Sequence, residues 1–474
     1  MKSQTLRGLL RLAAFLLALV LIVVFANTYC IKTDTYAALA IAEVKERSDI
    51  EVAFVGSSLV RAHFNAEMIS EATGKTCFSL GIPCGMLQGN IASTRELYRT
   101  NNPEWTILVI EPFTVDSAKE GIEGQYDLLP FLSSPFEQLR YYYSVAREDG
   151  WYVDRAFMFR DYAVDSFSEF LETVGMHLDP WKTYERIRPT LDPRMTYMGS
   201  GFARCETDER ATEMVRQQVI REYTGYYYDL LPQTREMLLE YRDLVERHGS
   251  KLLVFIYPNI TAHNLAVPGF LDYGEALMRF CKENDMACVN FSYAKPELYS
   301  RETDQYYFDL YHMVGEGADI FSASFARFFN AYLAGEDTSG WFYADKWEYL
   351  ASVSFITNCW IQTYFPEEEW NGAWEQDQQA VAAASENGAR DVYVANCNHG
   401  SSVAPEYRFF LRDEATGAET PLTDWQAEGI LSCGKGALTG QCIRVYARVQ
   451  GGEDDPALYF DFRPGVDEEP CLQV

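Results

Sequence analysis

Two short stretches of the chain carry residue types that could form a nucleophile and its base. EVAFVGSSLVRAHFN, residues 51–65, places Ser57 and Ser58 in a Gly-Ser-Ser turn directly after an apolar run. YYFDLYHMVGEGA places Asp309 three residues before His312. A serine becomes a nucleophile only when a base takes its proton and a third group orients that base. The two stretches together hold one residue for each of these three roles.

The histidines differ in their suitability as the base. His312 lies in a loop between the last predicted strand and the last predicted helix, where Asp309 can accept the Nδ1 proton and leave Nε2 facing the serine. His63 is one helical turn beyond Ser58 and is interpreted as a surface or rim residue. Gly-Ser-Ser after a strand is by itself ordinary turn chemistry. The prediction of catalysis therefore depends on the combination of strand, serine, Asp309 and His312.

The elements that must position these residues follow the pattern of a parallel α/β sheet. Segments of helical periodicity alternate with the apolar runs VAFVG, KTCFSLG, WTILVIEP, KLLVFIYP and MACVNFS. We predict a doubly wound, flavodoxin-like domain over residues 31–350, whose ligands gather at the carboxyl ends of the strands. The loops that hold Ser58 and His312 open on that same edge. An insertion at about 117–211 has no clear strand pattern and is interpreted as a wall of the site or as scaffold.

Residues 1–30 are predicted to be a membrane anchor. Basic residues precede an apolar run over residues 12–26, which reaches the ~20 residues that a bilayer needs when residues 8–10 are included. The positive flank predicts a single-pass protein with its bulk outside the cytoplasm. A cleaved signal peptide is the alternative, because Val24 and Ala26 fit a small-residue cleavage rule.

The C-terminal part changes to strand-like alternation. We predict a linker or helical connection over residues 351–387 and a small β-sandwich of immunoglobulin-like type over residues 388–474, where RVYARV alternates apolar and polar residues. The chain has 11 cysteines, an odd number in irregular spacing. Two disulfides are considered, Cys281 with Cys288 and Cys433 with Cys442. Buried free thiols are the alternative for these residues.

The composition excludes some classes of function. The 474 residues contain 69 acidic and 40 basic side chains, a formal charge of -29, which argues against nucleic acid as the main partner. No CxxC pair is present to indicate zinc or redox chemistry. Neither a metal nor an organic cofactor is implied.

The two stretches together resemble the SGNH/GDSL hydrolase superfamily. Gly56-Ser57-Ser58-Leu59 is similar to its first block, Gly-Asp-Ser-Leu, and Asp309-x-x-His312 to its last. Within the superfamily the chain looks like the membrane-anchored, DltD-like branch of bacterial cell-envelope proteins, where Gly-Ser-Ser is common. The resemblance covers about residues 50–335. It implies Ser58 as the nucleophile, His312 as the base and Asp309 as its orienting group.

The middle blocks of the superfamily are less well matched. FSLGIPCGMLQG keeps Gly81 but has Cys84 where a second glycine is expected, with Gly85 one place later. The resemblance thus implies an oxyanion hole from Ser58 and the region of Gly81, Cys84 and Gly85. The Asn that the family carries at the end of the third strand is absent here, and it is commonly absent in the DltD-like branch. An oxyanion hole that lacks one donor loses ~10²- to 10³-fold in rate.

Three further residues are weaker candidates for substrate binding. Thr114 follows the third strand and is a substitute for the absent Asn; Asn259 and His263 follow the fourth strand and face the same edge. Glu111 is interpreted as structural.

The resemblance implies a serine esterase or O-acyltransferase that acts on acyl esters of cell-envelope polysaccharide or teichoic-acid-like polymers, with a membrane-bound O-acyltransferase as a partner. The alternative is a catalytically degenerate surface protein of the same fold that binds glycan or such a partner.

Overall fold

The architecture comes from a computed structural model of the protein, which describes residues 2–32, 34–83, 86–111, 126–149, 163–211, 229–266, 269–364, 378–453 and 458–466. The strands of the first domain are β1 (Val52–Gly56), β2 (Cys77–Gly81), β3 (Trp105–Ile110), β4 (Met195–Gly199), β5 (Phe202–Cys205), β6 (Lys251–Ile256) and β7 (Ala287–Asn290). The α-helices are α1 (Lys2–Tyr29), α2 (Thr35–Glu46), α3 (Ser58–His63), α4 (Ala66–Thr73), α5 (Leu87–Leu97), α6 (Pro135–Asp149), α7 (Phe167–Leu178), α8 (Pro180–Ile187), α9 (Pro232–Arg247), α10 (Thr261–Ala266), α11 (Phe270–Glu283), α12 (Gly315–Leu333), α13 (Lys346–Ser352) and α14 (Gln378–Ala384).

Five of these strands form one parallel sheet in the order β2-β1-β3-β6-β7. The five predicted apolar runs are therefore all strands of one sheet. The chain places β2 on one side of β1 and then β3 on the other, so the strand order reverses between β1 and β3. In open α/β sheets a ligand site lies outside the carboxyl ends of the strands at such a reversal.

Helices cover both faces of the sheet, which explains why its strands are continuously apolar. On one face, Ala53 and Val55 of β1 belong to a hydrophobic cluster with side chains of α2, α5, α9 and α11. On the other face, Val52 and Phe54 belong to a cluster with α4 and α12. Alternate residues of each strand point to opposite faces, so both clusters hold the turn after β1 in place.

The second domain consists of two antiparallel sheets that share one hydrophobic cluster. The strands are β8 (Ile356–Thr363), β9 (Arg390–His399), β10 (Pro405–Arg412), β11 (Glu419–Pro421), β12 (Ile430–Gly434), β13 (Cys442–Val449) and β14 (Tyr459–Phe462). Their orders in the two sheets are β12-β9-β8 and β11-β10-β13-β14. The predicted start at residue 388 is wrong, because β8 lies within the segment predicted as a connection and pairs with β9. The immunoglobulin-like topology stays a prediction.

The N-terminal helix α1 is long and apolar enough to cross a membrane over Thr5–Tyr29, with a mean hydropathy of 2.9 and no part of its most apolar window buried. A signal sequence passes the same test of length and composition. The membrane anchor therefore stays a prediction, with a cleaved leader as its alternative. All cysteines among the described residues are free thiols, including Cys281, Cys288, Cys433 and Cys442. The structure therefore contains buried or half-buried thiols at both places where a disulfide was considered.

Candidate active site

Ser58 is the first residue of α3, just beyond the end of β1. The neighbouring Ser57 caps this helix, because its Oγ accepts the Leu59 N–H at 3.3 Å. The Ser58 Oγ instead lies 2.9 Å from His312 Nε2. The N–H groups in the first turn of a helix lack intrahelical partners. The Ser58 N–H is one of these groups and would be a donor to an oxyanion formed by attack of the Ser58 hydroxyl.

His312 contacts the Asp309 carboxylate through its other ring nitrogen. Nδ1 lies 2.8 Å from Asp309 Oδ2 and 3.1 Å from Oδ1. Oδ1 also accepts the backbone N–H groups of Tyr311 at 2.8 Å and His312 at 2.6 Å. Burial by itself would raise the pKa of Asp309, but these hydrogen bonds and the His312 charge hold the pKa below its usual value. A charged Asp309 keeps the proton on Nδ1 and leaves Nε2 to accept from the Ser58 hydroxyl.

A closed loop holds Asp309 and His312. β7 is three strands away from β1, about 14 Å at the usual strand spacing, so the chain needs the long loop after Asn290 to bring His312 back to Ser58. The loop is tied to itself by an antiparallel bridge between Tyr307 and Met313 and by the Phe308 N–H, which donates to His312 O at 2.9 Å. These bonds fix both sides of the Asp309–His312 segment.

Tyr307 attaches this loop to the sheet. Its hydroxyl donates to Pro258 O at 2.7 Å and lies 3.0 Å from the Tyr257 hydroxyl, just beyond β6. Its carbonyl accepts the Ala211 N–H at 2.8 Å. The position of His312 thus depends on β6 and on the end of the insertion as well as on its own turn.

His63 was predicted to be a surface or rim residue, and this prediction is wrong. The side chain is fully buried and stacks on Tyr257 at 4.8 Å between ring centroids. Its Nε2 accepts the Met313 N–H at 2.8 Å, directly beside His312. Burial first, and then the charge of His312, lowers the pKa of His63 well below its usual value, so the ring stays neutral and remains an acceptor. His63 therefore fixes the backbone directly beside His312.

His63→Phe should slow the reaction of Ser58 although it keeps a ring on Tyr257. The exchange leaves the Met313 N–H without its acceptor, and displacement of the adjacent His312 should lower kcat by about ten- to hundredfold with little change in KM. His63→Gln supplies an acceptor again and should recover part of this loss. The control is His248→Phe, because His248 is also a stacked histidine but lies at the end of α9. Equal ester turnover by His63→Phe and the parent would exclude a positioning role.

The approach of β2 to the turn that holds Ser58 requires a glycine. Gly81 pairs with Gly56 at the ends of β2 and β1. A Cβ at Gly81 would lie 2.4 Å from Arg61 N and 2.7 Å from Ser57 O. Gly81 thus lies beside the turn that holds Ser58, and close packing is its observed role. The other predicted oxyanion-hole residues, Cys84 and Gly85, and the predicted Thr114 fall outside the described residues.

Glu111 follows β3 at the carboxyl edge of the sheet, where sequence reasoning interpreted it as structural. It is buried, and its Oε1 accepts from Asn259 Nδ2 at 3.0 Å. Burial raises the pKa of Glu111 to about 7; the Asn259 hydrogen bond lowers it and the Asp309 charge raises it further. The group is thus largely protonated at mildly acidic pH, which avoids a second negative charge near Asp309.

The raised pKa of Glu111 predicts a pH-dependent cost to the fold. Between its ordinary value of 4.5 and about 7, the folded state keeps a proton that the unfolded state loses. Stability should therefore fall across this window as pH rises, by about 3 kcal/mol from this group at most. Glu111→Gln should raise the melting temperature by several degrees at pH 8 but not at pH 4.5, whereas the exposed Glu246→Gln should change neither. A uniform effect of Glu111→Gln at both pH values would contradict this.

Asn259 and His263 lie beneath the surface in this structure. Asn259 is 5% exposed and reaches Glu111; His263 is 0% exposed and packs against Tyr311 and Phe270. Burial lowers the pKa of His263 to about 4. Their observed contacts are with these neighbouring side chains, and direct contact with a substrate stays a prediction.

The insertion contains an antiparallel hairpin, β4 and β5, where sequence reasoning saw no clear strand pattern. Its turn covers the free edge of β2, because the Ser79 N–H donates to Ser200 O at 2.9 Å. Arg204 in β5 forms an ion pair with Asp319 of α12 at 2.7 Å. The hairpin therefore joins β2 to the helix that follows His312, and the role of the insertion as wall or scaffold stays a prediction.

Sequence reasoning brought together Ser58, His312 and Asp309, and the structure places all three in hydrogen-bonding contact. It missed the contacts of His63, Tyr307 and Glu111. The position of His63 on the same short helix as Ser58 was a usable signal, because the first helix after β1 must pack one face inward. The contacts of Tyr307 and Glu111 join distant segments and leave no local pattern. No protein-family model matches this chain, and no curated protein matches it either.

Proposed function

We propose that the protein is a serine-dependent ester hydrolase or O-acyltransferase. The observation that carries this proposal is the continuous contact from Ser58 Oγ through the His312 ring to Asp309. The site lies at the carboxyl edge of the sheet, beside the reversal of strand order, where α/β folds bind ligands. The same features support, by resemblance, membership of the SGNH/GDSL superfamily and its DltD-like branch.

The reaction would run in two steps. The Ser58 Oγ attacks the acyl carbonyl while His312 Nε2 takes the hydroxyl proton, and Asp309 stabilises the resulting imidazolium. The Ser58 N–H donates to the oxyanion. The C–O bond to the leaving alcohol then breaks, His312 returns the proton to that alcohol, and the acyl group remains on Ser58. In the second step, water or a sugar hydroxyl gives its proton to His312 and attacks the acyl-serine. The bond between the acyl carbon and Ser58 Oγ then breaks, His312 returns the proton to Oγ, and the acid or a new ester is released.

The proposed location is the outer face of a cell membrane, with α1 as a single-pass anchor. The exposed apolar surface of α1 needs a lipid environment if the segment is retained. The protein from its native host should then sediment with membranes and keep its N-terminal peptide in mass spectrometry. A mature chain that begins near Asn27 would show that the segment is a cleaved leader.

The proposed substrates are acyl esters of envelope polysaccharide or teichoic-acid-like polymers, and a membrane-bound O-acyltransferase is the proposed partner. The family resemblance supports both. The test is incubation of the full-length protein with a small acetyl ester, alone and with a saccharide or polyol acceptor, followed by mass spectrometry of the products. Free acetate indicates hydrolysis and an acetylated acceptor indicates transfer. Absence of both in a folded sample would favour a binding protein of the same fold.

A further inference from the structure

Two helices of the insertion, α6 and α7, expose rows of large apolar side chains. Spacings of three, four, seven and eleven residues return to one face of a helix, so each row forms a stripe on its own helix. The exposed fractions range from 44% to 78%, which is high for such side chains on a protein surface. The members are Phe136, Leu139 and Tyr143 on α6 and Phe167, Leu171 and Leu178 on α7. We call this set the insertion apolar face.

The insertion apolar face lies on helices that pack around the end of α1. His177 of α7 stacks on Phe131 at 4.9 Å and meets the Tyr29 ring edge-on at 5.0 Å. The His177 Nε2–H donates to Thr28 O at 3.1 Å. Phe131 belongs to the 3-10 helix Tyr126–Phe131, which leads into α6. Both helices are thus fixed to the last turn of α1.

The length of α1 places this junction at a bilayer surface. From Gly8 to Phe25 the helix is almost entirely exposed, and from Ala26 onward the domain begins to cover it. At about 1.5 Å per residue, this stretch is roughly 27 Å long, which is close to the hydrocarbon thickness of a typical bilayer when the long side chain of Arg11 reaches the inner interface. The point where the domain begins therefore coincides with the level of the lipid headgroups.

We propose that the insertion apolar face lies on the outer leaflet of the membrane, with its side chains in the boundary between headgroups and acyl chains. This inference rests on the proposal that α1 is retained as an anchor. Amphipathic helices bind in this way when one face carries aromatic and aliphatic side chains. Together, α1, α6 and α7 form three fixed attachments to the bilayer, which set the orientation of the first domain. A single helix would leave that domain able to rotate.

The test uses the full-length protein in nanodiscs of phosphatidylcholine and phosphatidylglycerol. Two photoactivatable phospholipids are compared, one with a diazirine near the glycerol end of the acyl chain and one with it at the chain terminus. Labelled peptides are then identified by mass spectrometry. We expect the shallow probe to label α1, α6 and α7, and the deep probe to label α1 alone. Peptides with Trp347 and Val466, which are 63% and 59% exposed, are the internal controls.

Substitution separates lipid contact from mere exposure. Leu139→Glu together with Phe167→Glu should reduce shallow labelling of α6 and α7 by about fivefold, because charged side chains leave the apolar boundary. Trp347→Glu is the matched control and should not change this labelling. All variants should keep the parent melting temperature, since these side chains are exposed.

Three results would overturn the inference. In the first, α1 is labelled but α6 and α7 are labelled no more than the peptides with Trp347 and Val466. This result would exclude the lipid contact and leave the anchor in place. Absence of label on α1 as well would remove the anchor on which the inference rests. A photo-crosslinking amino acid at position 139 that captures a protein in native membranes, and not lipid, would make this face a protein interface. None of these readouts depends on the reactivity of Ser58.

Discussion

Ser58→Ala should reduce turnover of a small acetyl ester to the background rate. The parent Oγ lies 2.9 Å from His312 Nε2, and alanine removes this atom, which is the proposed nucleophile. Loss of a nucleophile or its base costs about 10⁴- to 10⁶-fold in kcat. His312→Ala should cause a similar loss, and the double variant should be no worse than either single variant, because the two residues act as a unit.

The adjacent serine provides the matched control for this result. Ser57→Ala removes a helix cap, which typically costs about 1 kcal/mol of stability, but leaves Ser58 and its contact with His312 in place. It should therefore retain turnover at a temperature where it is folded. Equal turnover by Ser58→Ala and the parent, or a loss in Ser57→Ala alone, would contradict the assignment of Ser58.

Asp309→Asn is expected to have the second largest effect. The amide keeps the shape of the carboxylate, but its NH₂ group can donate to His312 Nδ1. The ring then carries its proton on Nε2 and cannot take one from Ser58. The comparable exchange in a Ser-His-Asp triad lowers kcat by about 10⁴-fold. Steady-state kinetics should show the loss in kcat with KM nearly unchanged, because Asp309 makes its contacts with His312 and backbone N–H groups.

Asp413 is a matched control for Asp309. Its Oδ1 also accepts two backbone N–H groups, from Ala415 and Thr416, both at 2.9 Å, but in a turn of the second domain. Asp413→Asn thus tests the loss of the same kind of turn contact without a histidine. A similar small loss in both variants would show that Asp309 only shapes its turn, and would leave the orientation of His312 without support.

The sequence allowed prediction of the features that depend on local pattern. Continuous apolar runs predicted all five parallel strands, since both faces of this sheet are buried. Asp309 and His312 were recognised because a turn brings residues three apart into contact. The chain order of strand and loop then placed them near Ser58.

Other features depend on contacts between distant segments or on weak patterns. The bond from Met313 N–H to His63 joins the segment that holds Ser58 to the segment that holds His312, so neither segment alone reveals it. The hairpin Met195–Cys205 had a usable signal in the Gly-Ser-Gly of its turn, within a region dominated by aromatic and acidic residues. The start of the second domain was missed because β8, ITNCWIQT, is separated from β9 by residues 364–389, which include a short helix. Its β-branched residues were the available clue.

The most direct test of an activated serine is reaction of the full-length protein with a fluorophosphonate probe, followed by identification of the labelled residue. The probe forms a covalent bond with a serine Oγ only when a neighbouring base accepts the proton. We predict one adduct, on Ser58, which is lost in Ser58→Ala and strongly slowed in Asp309→Asn. A folded parent protein that gives no adduct, or an adduct on another serine that persists in Ser58→Ala, would contradict the proposed mechanism.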